Sequence, residues 1–316
     1  MIGRIVEIAN DARHLALYRG FLTIKNKTAS GEELGRIPLD NILAVIAHAH
    51  GLSYTNNVLC ALAERGIPFV LCNDLHDVVG MLWPISGHHQ QAKRFDAQIA
   101  STDAKKGALW AKIVKCKIQQ QEALLERVSS PSVAIQRLAK QVKNGDPANC
   151  EAQAARIYWH LLLGKDFFRN REAGGINALL NYGYTVLRSA MARAVVAAGL
   201  HPSIGLHHRN GADTMRLVDD LMEPFRPAID AVVFNLSKEQ SAKEEILLTN
   251  EAKRRMVKCL FDEALVQETK IPIMVAMQKL ATSLALFFTE EASDIVLPKH
   301  FDFSDEGSDE MGLPKG

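Results

Sequence analysis

The spacing of apolar residues changes near residue 90, and with it the kind of secondary structure that the chain predicts. Before that point, Val, Ile, Leu and Phe form short runs between Gly, Pro, Asn and Asp, which is typical of strands, and a single helix is predicted at Thr55–Arg65. From Gln91 to about Phe288 the apolar residues recur at the helical period. Because the two periods suit different elements, we expect two unlike domains in succession.

The chain is therefore predicted to be an α+β protein, with a small N-terminal β-sheet or β-sandwich domain followed by a larger all-α domain. Its 316 residues, 47% of them hydrophobic, suffice for a core in each part. The predicted boundaries are 1–85 for the β domain, 86–91 for a linker, 92–289 for the helical domain and 290–316 for an acidic, disordered tail. The predicted helices of the second part are Gln91–Ser101, Lys105–Val128, Ser132–Val142, Pro147–Leu163, Ile176–Ala198, Glu239–Leu248, Asn250–Val266 and Ile273–Phe288.

The net charge of +1 hides an uneven distribution of charge. Residues 91–145 contain 11 Lys or Arg against 4 Asp or Glu, residues 151–217 contain 8 against 4, and residues 290–316 contain 2 against 8. A basic helical stretch is most often a solvated surface, and the more specific alternative is a surface that binds phosphates. Near neutrality overall therefore does not exclude a nucleic acid partner.

The five cysteines indicate a reducing compartment. They are scattered, odd in number and without CxxC spacing, as expected for reduced thiols and not for a disulfide frame or a zinc site. The N-terminus lacks the apolar core of a signal peptide, and no apolar run reaches the roughly 18 residues of a membrane span. We expect a soluble cytoplasmic protein without membrane association.

Glu151 is the first residue whose position suggests chemistry. Asp146 and Pro147 are residue types that start helices, so Glu151 is expected just beyond a first helical turn. It precedes Ala154 and Ala155, on the predicted buried side, by three and four residues, which places it beside that side of the helix. A solvated glutamate favoured by the helix dipole is the alternative interpretation.

A loop with two adjacent histidines is the second such position. His207 and His208 follow a Pro-Ser-Ile-Gly turn, and loops often present ligands. Adjacent side chains do not easily face one metal ion, so at most one of the two is expected to be a ligand. Two ordinary loop histidines are the alternative.

Three carboxylates within five residues form the third position. On a helix, Glu223 would share a face with both Asp219 and Asp220, where like charges repel unless a cation neutralises them. Pro224 and Pro227 remove backbone donors, so any helix here must begin or be distorted. An acidic first turn stabilised by the dipole is the alternative.

Together these residues form a set of oxygen and nitrogen donors with the character that Mg²⁺ or Mn²⁺ prefers, and not that of a closed structural zinc site. The basic helices suggest that the substrate carries phosphates. The residues therefore point to metal-dependent phosphodiester chemistry.

Several motifs, in the same order, resemble the CRISPR-associated integrase family, whose members are the first-numbered Cas proteins. The resemblance spans roughly residues 1–290 and is strongest at CEAQAARIYW (150–159), INALLNYGYTVL (176–187), GLHPSIGLHH (199–208) and LVDDLMEPFRPAIDAVVF (217–234). The strings SGHHQQAKR and DLMEPFRP are similar to the type II branch.

This resemblance implies the fold, the activity and the partners of the chain. It implies an all-helical catalytic domain and a metal-dependent integrase and endonuclease, in which the 3′-hydroxyl of new spacer DNA attacks the CRISPR repeat. The implied partners are double-stranded DNA, a second copy of the chain, a small second Cas subunit that completes a hetero-hexamer, and the type II effector nuclease.

Carried over to this sequence, the resemblance makes Glu151, His208 and Glu223 the catalytic metal ligands, with Asp220 as a supporting acid or additional ligand. His208 is chosen because the family histidine comes three residues after a glycine, here Gly205. Two alternatives stay open: a DNA-binding scaffold without catalysis, and a stand-alone metal-dependent nuclease. The candidate DNA contacts are Lys93, Arg94, Arg156, Arg169, Arg171, Arg193 and Arg209.

Overall fold

A computed structural model shows the α+β architecture that the sequence predicts. It describes residues 4–27, 31–47, 49–73, 78–82, 84, 88–128, 130–208, 214–240 and 246–303. Within these ranges, no helix is long and apolar enough to cross a membrane. None of the five cysteines, all of which lie in the described ranges, forms a disulfide bond with another.

The N-terminal part consists of two four-stranded sheets and one helix. One sheet has the order β1-β5-β7-β8, in which β8 is antiparallel, and the other has the order β4-β3-β2-β6. Their apolar faces and the helix share one core, to which Ile8, Leu15, Leu22, Val45 and Leu62 belong. The elements are β1 (Arg4–Ile8), β2 (Arg13–Tyr18), β3 (Phe21–Asn26), β4 (Glu33–Pro38), β5 (Ile42–Ala47), β6 (Ser53–Tyr54), α1 (Asn56–Glu64), β7 (Phe69–Cys72) and β8 (Val78–Leu82).

The second part is mainly helical and contains the larger core. Helices α7, α8, α9 and α10 pack against α6, whose Leu179, Val186 and Met191 are buried. The helices are α2 (Gln91–Ala100), α3 (Asp103–Arg127), α4 (Val133–Gln141), α5 (Cys150–Leu163), α6 (Ile176–Ala197), α7 (Arg216–Met222), α8 (Arg226–Glu239), α9 (Asn250–Lys258) and α10 (Ile273–Phe288). Because α2 begins at Gln91, the predicted linker ends one residue earlier than expected.

The prediction that this part is entirely helical is wrong in one place. The predicted helix Asn250–Val266 ends at Lys258, and a three-stranded antiparallel sheet follows, formed by β9 (Glu263–Val266), β10 (Thr269–Pro272) and β11 (His300–Phe301). Gln267 and Glu268, both with positive φ, make the tight turn between β9 and β10. A three-residue apolar run, Ala264–Val266, fits a strand or a helix, and here the partner strands decide.

The predicted helix Glu239–Leu248 is also wrong. Helix α8 ends at Glu239, and residues 246–249 are not helical, while 241–245 lie outside the described residues. Instead, Gln240 Oε1 accepts a hydrogen bond from Leu247 N at 3.0 Å, which closes the connection to α9.

The prediction of a disordered tail from residue 290 onward is wrong for residues 290–303. Ile295, Phe301 and Phe303 are buried in the helical domain, and β11 pairs with β9. The alternation of Phe301, Asp302 and Phe303 is that of a strand with one apolar face, which the acidic composition obscured. Residues 304–316 lie outside the described residues.

Candidate metal centre

A buried lysine on α3 brings together two of the three predicted ligands. Lys117 is 6% exposed, and its Nζ lies 2.5 Å from both Glu151 Oε1 and Glu223 Oε2. These two carboxylate oxygens therefore lie within about 5 Å of each other. Although burial favours the neutral amine, Glu223 and Glu151 outweigh it and raise the pKa of Lys117.

The loop before α5 positions Glu151 at the helix start. Asp146 and Asn149 adopt left-handed backbone conformations, so the helix begins at Cys150 and not at Pro147 as predicted. The Asp146 carboxylate accepts hydrogen bonds from the backbone amides of Cys150 at 2.9 Å and Glu151 at 3.0 Å. Asp146 therefore caps the first turn from the loop, and this orients Glu151 toward α3.

Glu223 lies in a break between two helices. A short 3₁₀ helix, Glu223–Phe225, separates α7 from α8, as the prolines at 224 and 227 predict. Glu223 Oε1 pairs with Arg226 Nη2 at 2.9 Å, whereas Oε2 meets Lys117 without accepting a well-angled hydrogen bond from any described residue. Burial opposes ionisation of Glu223, but Arg226 and Lys117 together hold its pKa below the usual value.

Asp220 orients His208. His208 Nδ1 lies 2.6 Å from Asp220 Oδ1, while Asp220 Oδ2 accepts backbone hydrogen bonds from Leu206 at 2.6 Å and His207 at 3.1 Å. The hydrogen bond to Asp220 raises the pKa of His208, and the charge of Glu223 adds to this effect. With Nδ1 engaged, Nε2 is the His208 atom that can bind a metal, so the fully buried Asp220 fits a supporting role better than a ligand role.

The two adjacent histidines have different environments. The His207 ring stacks on Trp110 of α3, with centroids 4.5 Å apart and planes 2° apart. His208 meets the same indole edge-on at 5.8 Å and pairs with Asp220. This division of roles is consistent with the choice of His208 as the ligand.

We refer to Glu151, His208 and Glu223 as the candidate metal centre, whose oxygen and nitrogen donors are of the types that Mg²⁺ and Mn²⁺ accept. Glu223 Oε2 is buried and lacks a well-angled hydrogen-bond donor among the described residues, and the carboxylate–histidine pair has the form found behind metal-binding imidazoles. Among the described residues, no three His, Cys, Asp or Glu side chains form a ready cage for a metal ion. Lys117 stands between the carboxylates instead.

Sequence reasoning missed Lys117 and the residues that hold Arg226. Tyr158 and Tyr184 donate hydrogen bonds to the buried Asp230 at 2.9 and 2.6 Å, and the Arg226 guanidinium lies 4.6 Å from the centre of the Tyr184 ring. Burial raises the pKa of Asp230 to about 6. The sequence did contain a signal for Lys117. It follows the apolar residues at positions 113 and 109 by four and eight residues, which places it on the same face of the helix.

Two of the predicted DNA contacts lie against other parts of the fold. Arg94 is buried, and its Nη1 donates to Ala198 O at 2.8 Å and lies 3.1 Å from His88 Nε2, so it stabilises the end of α6. Arg193 lines a small cavity with Ile5 of β1 and Gln278 of α10. Neither position favours direct contact with a duplex.

The other predicted contacts differ in accessibility. Arg169 is half-buried and donates to two asparagine side chains of α6, at 3.0 and 2.6 Å. Lys93 is exposed and pairs with Glu291 at 2.9 Å. Arg156 and Arg171 are exposed or partly exposed, and Arg209 lies outside the described residues.

The fold and the centre define a two-domain α+β protein with a carboxylate–histidine site in its helical domain, and solved structures share this architecture. A casposase bound to integration product matches with a TM-score of 0.78 and 19% identity, covering 96% of this chain and 94% of that one. A CAS1 protein from Thermotoga maritima matches with a TM-score of 0.72 and 18% identity, covering 90% and 97%. At these identities the similarity establishes the fold.

The sequence comparisons establish the family. The model of the family "CRISPR associated protein Cas1" matches residues 6–263. A CRISPR-associated endonuclease Cas1 from Neisseria meningitidis is 32% identical over 302 residues, covering 95% of this chain and 97% of the relative. One from Pyrobaculum aerophilum is 28% identical, covering 89% and 97%. The chain belongs to the Cas1 family.

Proposed function

We propose that this chain is a metal-dependent DNA integrase and endonuclease of CRISPR adaptation. The convergence of Glu151 and Glu223 on one point, beside His208, is the observation that carries the proposal. The chain belongs to a family whose curated members are named CRISPR-associated endonucleases, and a casposase of the same fold is described as bound to integration product. Both support an enzyme that cuts and joins DNA.

The proposed reaction is a transesterification. The 3′-hydroxyl of the incoming DNA attacks a phosphorus atom at the repeat boundary, a new P–O bond forms, and the old P–O bond breaks to release a 3′-hydroxyl. Mg²⁺ or Mn²⁺ held by Glu151, His208 and Glu223 would polarise the phosphodiester and activate the attacking hydroxyl. Asp220 holds the His208 ring, and Arg226 holds one oxygen of Glu223, so positioning is supplied by the fold. With water as the nucleophile, the same centre would hydrolyse DNA.

We further propose a homodimer that joins a small second Cas subunit in a hetero-hexamer on double-stranded DNA, within the prokaryotic cytoplasm. Solved structures of the same fold carry the descriptions "Cas6-RT-Cas1--Cas2 complex" and "TtCas1-DNA complex", which supports such partners. Assignment to the type II branch, with its effector nuclease, rests on the SGHHQQAKR and DLMEPFRP strings and on the 32% identity to the Neisseria relative.

An in vitro integration assay tests the proposal. The chain, the small Cas partner, a short DNA duplex and a plasmid that carries the repeat are combined with Mg²⁺ or Mn²⁺. We expect strand transfer that Glu151→Gln, His208→Ala and Glu223→Gln each reduce to background, whereas Glu126→Gln, on an exposed part of α3, leaves it unchanged. Wild-type transfer by the three variants would contradict the site.

The same assay separates the two alternatives. DNA binding without any metal-dependent strand transfer would favour a scaffold. Metal-dependent cleavage without integration, even with the partner present, would favour a stand-alone nuclease.

A further inference from the structure

The buried ammonium group of Lys117 is an unusual feature for a candidate metal centre. A buried lysine is costly unless its charge is compensated, and here Glu151 and Glu223 compensate it at 2.5 Å each. Arg226 does not share this position, because it pairs with the other oxygen of Glu223, Oε1, at 2.9 Å. Lys117 is therefore the cation that lies between the two carboxylates.

Lys117 contacts one oxygen of each glutamate, and on Glu223 this is the oxygen that Arg226 does not engage. A Mg²⁺ ion lies about 2.1 Å from its ligand oxygens. An ion on Glu151 Oε1 or Glu223 Oε2 would consequently lie within about 5 Å of Lys117 Nζ and would compete for the same lone pairs. At that separation two cations repel strongly in a buried site.

The helix that carries Lys117 is held in place on the residues either side of it. Cys116 Sγ donates to Pro298 O at 3.3 Å, and Gln120 Nε2 donates to the carbonyl oxygens of Pro298 at 3.3 Å and Lys299 at 3.2 Å. The backbone at Lys117 is thereby fixed, while its four-carbon stem has rotatable bonds. A displacement of the ammonium group therefore calls for rotation about these side-chain bonds and not for a movement of α3.

We propose that Lys117 is an internal counter-ion of the candidate metal centre: it holds Glu151 and Glu223 together in the metal-free protein and competes with a divalent cation for their oxygens. It is a positioning residue, and its role rests on the proposed metal centre. Metal binding exchanges one cation for another, so the carboxylates stay together in both states.

Mn²⁺ binding to the full-length protein tests this role, followed by electron paramagnetic resonance and by calorimetry. Lys117→Met removes the charge and keeps a chain of similar length, and we expect it to bind Mn²⁺ about tenfold more tightly, or better. Lys112→Met, on the same helix with its exposed partner Asp294, is the matched control and should bind as the wild type does. Lys117→Arg keeps the charge and should bind no more tightly than the wild type.

Thermal unfolding provides a second readout that does not depend on activity. In EDTA, Lys117→Met should unfold at a lower temperature than the wild type, because the buried Glu223 and the partly exposed Glu151 lose their shared cation. Mn²⁺ should raise the unfolding temperature of Lys117→Met by more than it raises that of the wild type. A variant that folds only with Mn²⁺ present would show the same dependence in stronger form.

The outcomes distinguish the two proposals. If Glu151→Gln abolishes Mn²⁺ binding while Lys117→Met binds Mn²⁺ no more tightly than the wild type, the counter-ion role is wrong and the metal centre stands. If the wild-type protein and Lys117→Met both fail to bind Mn²⁺, the metal centre itself is wrong, and the counter-ion role with it.

Discussion

At the scale of single residues, the centre is a balanced set of buried and partly buried charges. The carboxylates of Glu151 and Glu223 face the cations of Lys117 and Arg226, so that each charge in this poorly hydrated place has a partner of opposite sign. His208, the third residue of the centre, pairs with Asp220. The sequence-based expectation that clustered acids need a neutralising cation is met here by side chains of the chain itself.

The His208–Asp220 pair predicts a pH dependence of stability. Because Asp220 raises the pKa of His208 in the folded protein, the pair stabilises the fold fully below the unfolded pKa of about 6.5 and loses this contribution as the pH rises through the folded value. In EDTA, the difference in unfolding free energy between the wild type and His208→Gln should therefore be larger at pH 5.5 than at pH 8.5. Urea denaturation of the two proteins at each pH measures these unfolding free energies.

The expected difference is below about 1 kcal/mol, because His208 is partly exposed and solvent screens the pair. Equal differences at the two pH values would show that the ion pair does not contribute.

At the scale of elements, α3 organises the centre. Its Trp110 stacks on His207, Lys117 reaches the two glutamates, and Cys116 and Gln120 hold the chain near Pro298. The C-terminal segment 295–303 then packs behind the 3₁₀ helix, with the Phe301 ring 5.8 Å from Phe225. Elements far apart in the chain thus support one small site.

Gly183 lies where α6 and α8 approach each other closely. An ideal Cβ at this position would lie 2.4 Å from Ile229 Cγ2 and 3.3 Å from Met256 Sδ. Gly183→Ala should therefore destabilise the protein by about 1–3 kcal/mol despite the better helix propensity of alanine. Chemical denaturation checks this, with Gly35→Ala as the control because a Cβ there meets nothing within 4 Å. Equal stability of the two variants would be inconsistent with the close approach.

The burial of Phe301 indicates that the segment after α10 is part of the core. It is 0% exposed, so Phe301→Ala should lower the unfolding free energy by about 3–5 kcal/mol. Phe168→Ala, at a ring that is 73% exposed, is the control and should change it by less than about 0.5 kcal/mol. If Phe301→Ala changed the unfolding free energy as little as Phe168→Ala does, residues 290–303 would be a tail that does not pack on the core.

At the scale of the whole molecule, two sets of polar contacts tie distant parts together. Glu7 of β1 accepts hydrogen bonds from Tyr182 of α6 at 2.7 Å and Lys253 of α9 at 3.1 Å, which joins the β domain to the helices. The acidic residues after α10 pair with basic residues of α2 and α3, as Lys93–Glu291, Lys105–Glu290 and Lys112–Asp294. Part of the acidic C-terminal charge is thereby neutralised within the fold.

The remaining basic surface predicts the salt dependence of DNA binding. Arg156→Ala and Arg171→Ala should each weaken binding across DNA sequences, and the slope of log K against log salt should become shallower by about 0.9 for each phosphate that a variant no longer neutralises. Arg36→Ala, at an exposed residue of β4 paired with Glu33, should leave the slope unchanged. Fluorescence anisotropy over a range of salt concentrations measures this. An unaltered slope in the Arg156 and Arg171 variants would place the DNA surface elsewhere.

The sequence was enough to predict the fold class, the order of the domains and most helix positions, such as Ile273–Phe288, because hydrophobic periodicity and helix-breaking residues act locally. It also singled out Glu151, His208 and Glu223 by residue type and by resemblance, and their role as ligands stays a prediction.

The tertiary structure is needed to explain which distant groups meet. It placed Lys117 between Glu151 and Glu223, 34 and 106 positions away, turned residues 263–266 into a strand through pairing with His300–Phe301, and buried Arg94 against the end of α6. No local pattern encodes these contacts, because the burial of a charge and the pairing of a strand depend on what the rest of the chain brings to the same place.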